Sequence, residues 1–327
     1  MTKFIGIGFS LLVFMVAAYA FSPRHAPEFS SNSISVNSLL LLDAARVGKR
    51  IVAVGERGHI VLSDDGGASW RQISSPTQST LTALYFLGEK TGWAVGHDGV
   101  ILKSDDGGAS WRQLYFAPDE QKPLLDVWFA DELNGYAVGA YGLFMETSNG
   151  GVSWQQRKIF DGDTHINALA SASAGSSANT SSQLFIAGEA GTLFRSDDAG
   201  KTWQSLSSPY KGSFFGILPL SNNSLLAFGL RGNVFRSDDA GASWSAVESG
   251  TQAALMGGLV SADGRVVLAG QGGITLVSED QGRTFRLRNQ ASGRALAAVL
   301  PAEKGKDDLL LFGESGVSNF NPGTSAK

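Results

Sequence analysis

Eight residues, Ser63-Asp64-Asp65-Gly66-Gly67-Ala68-Ser69-Trp70, set a pattern that returns at residues 104–111, 147–154, 196–203, 237–244 and 278–285. Its closing aromatic advances by 41, 43, 49, 41 and 41 residues. A repeat of this length marks one supersecondary unit that buries its apolar face only against its neighbours. A second signature, an apolar strand running into Gly-x-x-Gly, precedes each copy and starts at Gly55, Gly96, Gly139, Gly188, Gly229, Gly270 and Gly313. It occurs seven times, against six for the first motif.

Each period reads as four short strands. In the second unit they fall at residues 81–86, 92–95, 99–103 and 111–114, separated by turn residues. No stretch after the leader sustains a capped helical period. Forty-one glycines without a collagen period agree with many tight turns. The fold class expected is all-β: a seven-bladed β-propeller of four-stranded antiparallel blades. After Gly313 only one more strand, residues 317–320, precedes Asn321-Pro322-Gly323. A blade left short exposes an edge that pairs promiscuously. Residues 34–37 belong to no other blade, so they are expected to close the ring as the outer strand of blade 7.

The eight-residue pattern is an Asp-box, Ser-x-Asp-x-Gly-x-Ser/Thr-Trp. Asp65, Asp106, Asp198, Asp239 and Asp280 are placed to accept backbone N–H groups inside the turn between the third and fourth strands. Trp70, Trp111, Trp154, Trp203 and Trp244 are expected to anchor the outer strands. Asn149 replaces the aspartate in blade 3 and Phe285 the tryptophan in blade 6, and both keep the hydrogen-bonding or packing role. One such aspartate per blade cannot converge on one ion or one bond, so the motif reads as scaffold and not as a catalytic or calcium site.

The ends carry other information. Lys3, an apolar run over residues 4–18 and Ala18-Tyr19-Ala20 form a signal peptide over residues 1–20, cleaved or retained as an anchor. Residues 21–33 then read as a linker, 34–320 as the propeller and 321–327 as a tail. The chain has no cysteine, which excludes disulfides, zinc–thiolate sites and a lipid on cysteine. A net charge of −4 gives no basic excess for nucleic acid. An exported, periplasmic location is expected, with membrane contact through a partner or an uncleaved N-terminus. The Ser-, Ala- and Gly-rich residues 171–182 account for the one period of 49 and read as a loop insertion in blade 4. Within them, Asn179-Thr180-Ser181 matches a glycosylation acceptor.

Ala94-Val95-Gly96-His97-Asp98-Gly99 through Trp111, and Ala137-Val138-Gly139 through Trp154, resemble the photosystem II assembly and stability factor family within the Asp-box superfamily. The resemblance runs from about Leu39 to Phe320. It implies a seven-bladed propeller without known catalysis that binds membrane-protein subunits during assembly. Similar proteins in non-photosynthetic bacteria accompany exporters of the RND (resistance–nodulation–division) type. Cyanobacterial members are lipid-anchored through a cysteine that this chain lacks, which favours the transporter-associated branch over a photosystem partner.

The variable residues of the Gly-x-x-Gly loops are the candidate partner-binding rim: Arg57, His97, Asp98, Tyr141, Glu189, Arg231, Gln271 and Glu314. Tyr115-Phe116, Tyr210 and Phe214-Phe215 are further candidate anchors, with packing the preferred role for the last pair. Sialidases share the Asp-box, but they need a third clamping arginine beside Arg57 and Arg231, and a Phe-Arg-Ile-Pro segment that is missing here. The four histidines show no metal-ligand spacing. No cofactor or catalytic residue is expected. A glycan-binding or glycan-hydrolysing propeller is the rival class.

Overall fold

The computed structural model describes residues 14–15, 35–172, 183–261, 263–290, 292–302 and 308–321. Of the first 33 residues only Phe14 and Met15 are described, both helical and exposed. The cleavage site, the glycosylation match and most of the blade 4 insertion lie outside the described residues.

From Ser35 onward the described residues form seven antiparallel sheets, six of four strands and one of three. Blade 2 shows the plan, with strands Leu81–Leu87, Thr91–Gly96, Ile101–Ser104 and Arg112–Tyr115 hydrogen-bonded in chain order. The first strands form an inner ring: Leu41–Val47, Leu81–Leu87, Leu124–Phe129, Ile166–Ser171, Phe214–Pro219, Leu255–Val260 and Leu296–Pro301. Each packs on the next, and the seventh returns to the first. Second strands such as Leu184–Gly188 are buried along their whole length, since both faces meet a neighbouring blade. That explains their unbroken apolar runs, where a half-exposed strand would alternate.

Seven apolar clusters hold the blades together. The Asp-box aromatics are part of these junctions. Trp70 meets Phe312 of blade 7 edge-on at 6.0 Å, and Trp111, Trp154 and Trp203 meet Phe86, Phe129 and Phe144 in the same way. Trp244 and Phe285 pack into the corresponding clusters. Burying side chains of this size contributes about 1.5–3 kcal/mol each.

The Asp-box turn is built as its residue types dictate. In blade 1, Asp65 Oδ1 accepts the Ser69 N–H at 2.9 Å and the Ser63 hydroxyl at 2.8 Å, while Oδ2 accepts the Ser69 hydroxyl. Asp106, Asp198, Asp239 and Asp280 repeat these bonds, and Asn149 keeps the backbone bond to Ser153. The fourth residue of each box adopts a left-handed backbone: Gly66, Gly107, Gly150, Ala199, Ala240 and Gln281. Its carbonyl is thereby turned toward the preceding blade. Arg50 donates to Gly107 O (3.1 Å), Trp93 Nε1 to Gly150 O (3.1 Å), Tyr136 hydroxyl to Ala199 O (2.9 Å) and Arg195 to Ala240 O (3.3 Å). Arg236 donates to Gln281 O in the same place. Five consecutive boxes are thus sockets for a donor from the blade before.

Ring closure differs from the strand expected at residues 34–37. Val36–Ser38 is a single turn of 3-10 helix, and Ile34 lies outside the described residues. Among the described residues blade 7 has three strands. The reason is local. Ser38 N–H and hydroxyl both bond Ser35 O, and Gly316 N–H bonds Leu39 O at 2.8 Å. The chain therefore crosses the start of the Gly316–Phe320 strand and does not run beside it here. A Cβ at Gly316 would lie 1.8 Å from Val36 O, so this close crossing requires glycine. Among the described residues side chains close the ring. Leu41, Ile51, Ala53 and Val61 of blade 1 pack on Ala298, Leu310 and Phe312 of blade 7, and Arg46 donates to Ala302 O at 2.7 Å and to Pro301 O.

Candidate functional site

Antiparallel order divides the loops between two faces. The turns between second and third strands share one face with the linkers from each outer strand to the next inner strand. The Asp-boxes share the opposite face with the turns between first and second strands. Two bonds fix this in blade 2: His97 N–H to Thr80 O of the linker (2.9 Å), and Gly107 N–H to Lys90 O (2.8 Å).

The first glycine of each Gly-x-x-Gly lies hard against the linker. A Cβ at Gly55, Gly96, Gly139, Gly188, Gly229, Gly270 or Gly313 would lie 1.9–2.3 Å from a backbone carbonyl. Six of the loops are a 3-10 turn with a left-handed central residue: Arg57 (φ 53°), Asp98 (58°), Tyr141 (55°), Ala190 (52°), Arg231 (58°) and Gly272 (69°). Glycine, asparagine and aspartate are at ease there; long side chains are uncommon.

The eight rim residues separate into two sets. The acids hold the scaffold: Glu189 accepts the His165 N–H and Glu314 the Ala295 N–H, both at 3.2 Å, as Glu56 does for Leu40 at 3.4 Å. Asp98 takes the Ser79 hydroxyl at 2.6 Å. The remainder face solvent. Arg57, Arg231, His97 and Gln271 are exposed, and Tyr141 is 58% exposed with its ring edge-on to His165 at 5.0 Å. Arg57, Tyr141 and Arg231 stand on blades 1, 3 and 5, so they share a face without converging on one point. Of the aromatic candidates, Phe214 is fully buried, Tyr210 stacks on Phe235 and meets Phe214 edge-on, and Tyr115 is half-buried, while Phe116 is 47% exposed on this face.

Between these loops, the second residue of every inner strand borders the channel: Leu42, Thr82, Leu125, Asn167, Phe215, Met256 and Ala297. A β-bulge at each start leaves this residue without a partner in the ladder. Thr82 and Asn167 bond the Leu124 and Phe214 carbonyls of the next blade. Leu42, Leu125, Phe215 and Met256 belong to none of the seven apolar clusters and keep partial exposure, 38% for Met256.

One residue deeper, Asp43 and Asp126 face the same channel wall. Asp43 accepts the N–H groups of Ala44 and, across the blade boundary, Leu84; Asp126 accepts those of Val127 and Leu169, all at 2.8 Å. Burial pushes Asp43 up to about 6 and Asp126 to about 7, the latter helped by the negative charge of Asp43. Each carboxylate oxygen is engaged by a backbone donor, which fits an inter-blade tie better than an acid–base pair. The motif reading missed these two; the matching tetrapeptides Leu41-Leu42-Asp43-Ala44 and Leu124-Leu125-Asp126-Val127 are the sequence signal for them. Among the described residues no group of three or more His, Asp or Glu is placed to hold a metal ion.

A closed ring of seven antiparallel blades, Asp-box turns on one face and a variable glycine-bounded rim on the other, defines a seven-bladed Asp-box propeller. The family model described as photosynthesis system II assembly factor YCF48 matches residues 14–105 and 108–299, and the chain belongs to that family. A solved YCF48 with a D1 peptide bound is 18% identical, covers 91% of this chain and 96% of its own, and superposes with a TM-score of 0.69. YCF48 from Cyanidioschyzon merolae gives 17%, 89%, 98% and 0.70. The GH74 enzyme of Niastella koreensis shares the fold at 13% identity over 88% of this chain and 53% of its own, with a TM-score of 0.68. No curated protein sequence matches this chain.

Proposed function

We propose that this chain is a non-enzymatic, exported accessory or assembly factor for an inner-membrane protein complex, and that this complex is an exporter of the RND type. Membership of an assembly-factor family supports the general role, and the YCF48 solved with a D1 peptide supports recognition of a membrane-protein segment. The observation that carries the reading is the division within the rim. Its acids are tied into the fold, whereas Arg57, Tyr141 and Arg231 hold long side chains outward from left-handed backbone positions. Such residues are typical anchors of protein interfaces. The lack of cysteine favours a partner other than a photosystem. Periplasmic location follows from the leader and belongs to the same proposal.

Affinity purification of the tagged chain from gently solubilised membranes, with mass spectrometry of what accompanies it, tests the role. A transporter subunit in near-stoichiometric amount, lost from the Arg57→Ala/Tyr141→Ala/Arg231→Ala variant, is the expected result. Recovery of a photosystem subunit would change the partner and leave the assembly role standing. Recovery of no membrane protein, with retention or cleavage of a glycan by the pure chain, would overturn it.

A further inference from the structure

We infer that the outer edge of blade 6, strand Arg286–Asn289, docks on an anionic lipid surface, with the guanidinium groups of Arg286 and Arg288 taking headgroup phosphates. The inference rests on the membrane-side location proposed above and names a second surface that the chain meets there.

The repeat shows what this edge is missing. The third residue after each box aromatic is Ile73, Leu114, Arg157, Leu206, Val247 and Arg288. Where the next blade carries a box, this residue packs on it or bonds to it. Ile73 shares a cluster with Trp111, and Val247 shares one with Phe285. A Cβ at Gly151 would meet Leu114, and one at Gly241 would meet Leu206. Arg157, the other cation at this position, donates to Lys201 O at 3.1 Å and to Gly200 O. It also pairs with Glu146 at 3.3 Å and lies over the Phe144 ring at 4.9 Å. Arg288 precedes blade 7, the blade with no Asp-box in the sequence. Among the described residues its guanidinium makes no ion pair and bonds only the adjacent Leu287 O, at 3.5 Å, while Nε is buried without a partner.

Arg286 repeats the contrast. Arg71 and Arg112 hold the same repeat position and pair with Asp64 and Asp105, the second residues of their boxes. In blade 6 that acid is Glu279, which Arg265 takes at 3.3 Å, and Arg286 has no ion pair among the described residues. The other described acids of blades 6 and 7 are engaged too. Arg265 pairs with Asp263, Asp280 closes its own turn, Asn321 bonds Asp308, and Glu314 accepts the Ala295 N–H. Alternation along the strand puts the two arginines on one flank and Leu287, 36% exposed, on the other. Unneutralised guanidinium forks match phosphate oxygens, and an exposed leucine beside them enters the apolar margin of a bilayer. Connectivity agrees. The chain enters the propeller at blade 7, where Gly316 N–H bonds Leu39 O, so the apolar run of residues 4–18 is joined to the ring next to this edge.

Vesicles of phosphatidylglycerol and of phosphatidylcholine test this with the full chain. The quantity read is the ratio of the two partition coefficients from cosedimentation, because the apolar run of residues 4–18 contributes to both. A ratio well above one is expected, falling as salt is raised. Arg286→Gln/Arg288→Leu copies Gln204 and Leu206 of blade 4, so the melting temperature should hold. The ratio should fall at least about tenfold, since each cation near such a surface is worth about fivefold. Arg71→Gln/Arg112→Gln removes two cations already paired and should leave the ratio nearly unchanged. A ratio near one, a ratio that survives the blade 6 substitutions, or an equal loss from the blade 1 and 2 control would overturn the inference. The accessory role is judged separately. Anionic-vesicle binding without recovery of any membrane protein overturns that role and leaves this surface standing, whereas recovery of a partner by a chain indifferent to lipid charge does the reverse.

Discussion

The two faces of the propeller are made from the same kind of repeat and differ in what the repeat leaves over. On the Asp-box face, carboxylate and hydroxyl close on the turn, joined by the Trp70, Trp111 and Trp154 indoles, and the fourth carbonyl of five boxes receives a donor from the preceding blade. On the Gly-x-x-Gly face only the glycines and the acids are used in this way. Among the described residues Arg57 and Arg231 form no ion pair, Leu42, Leu125, Phe215 and Met256 join no apolar cluster, and Tyr141 stays exposed with its ring edge-on to His165. A repeat motif whose carboxylates and hydroxyls are spent on the fold has little left for a partner, so the less regular face is the better place to seek function.

The largest effect should come from the glycines, the most tightly packed part of the open face. Gly96→Ala puts a Cβ 2.0 Å from Thr80 O, a backbone atom that cannot move away, although φ at Gly96 is extended and itself unstrained. A loss of about 4 kcal/mol is expected, read from urea unfolding. A loss below about 1 kcal/mol would mean that the linker yields and that this face is less rigid than described. Trp111→Ala tests the opposite face. It removes an 8%-exposed side chain packed edge-on against Phe86 and should cost about 3 kcal/mol by the same assay.

How much of this contrast was legible in the sequence depends on whether a feature repeats. Seven glycine signatures with six Asp-boxes gave the blade count, the strand order and the bonds of each turn, because every copy solves the same local problem. The sockets between blades were not legible, since the donors are Arg50, Trp93, Tyr136, Arg195 and Arg236, three chemistries drawn from second and third strands. Closure was misread for a related reason. The segment before Leu39 resembles an unassigned strand only when the crossing at Gly316 is unknown. The second position of the inner strands escaped notice because it holds Leu, Thr, Leu, Asn, Phe, Met and Ala, a set that becomes a pattern once a β-bulge leaves each residue without a partner in the ladder.

Acidity separates the regions in opposite senses. Asp65 and Asp198 are held down at about 2, by the Ser69 and Thr202 hydroxyls first and by the backbone N–H groups of the same residues. Their contribution to stability is present above an unfolded value near 3.8 and is lost as pH falls toward 2. Asp43 and Asp126, raised to about 6 and about 7, bind protons more tightly folded than unfolded. Their contribution is complete below pH 3.8 and is lost as pH rises through 6 and 7. The melting temperature of wild type should therefore fall between about pH 4 and 7, and the Asp43→Asn/Asp126→Asn variant should flatten that slope. An unchanged slope would assign it to other groups.

The smallest effect on stability is expected where the proposed function is greatest. Arg57→Ala and Arg231→Ala remove exposed cations from left-handed positions, so each should change unfolding free energy by less than about 0.5 kcal/mol. Arg57→Gly should even stabilise slightly, since glycine adopts φ 53° without a Cβ penalty. The same substitutions should abolish recovery of the membrane partner. If Arg57→Gly instead lowers the melting point, the guanidinium supports the fold in solution. The division between a spent face and an open one would then fail at the residue on which it most depends.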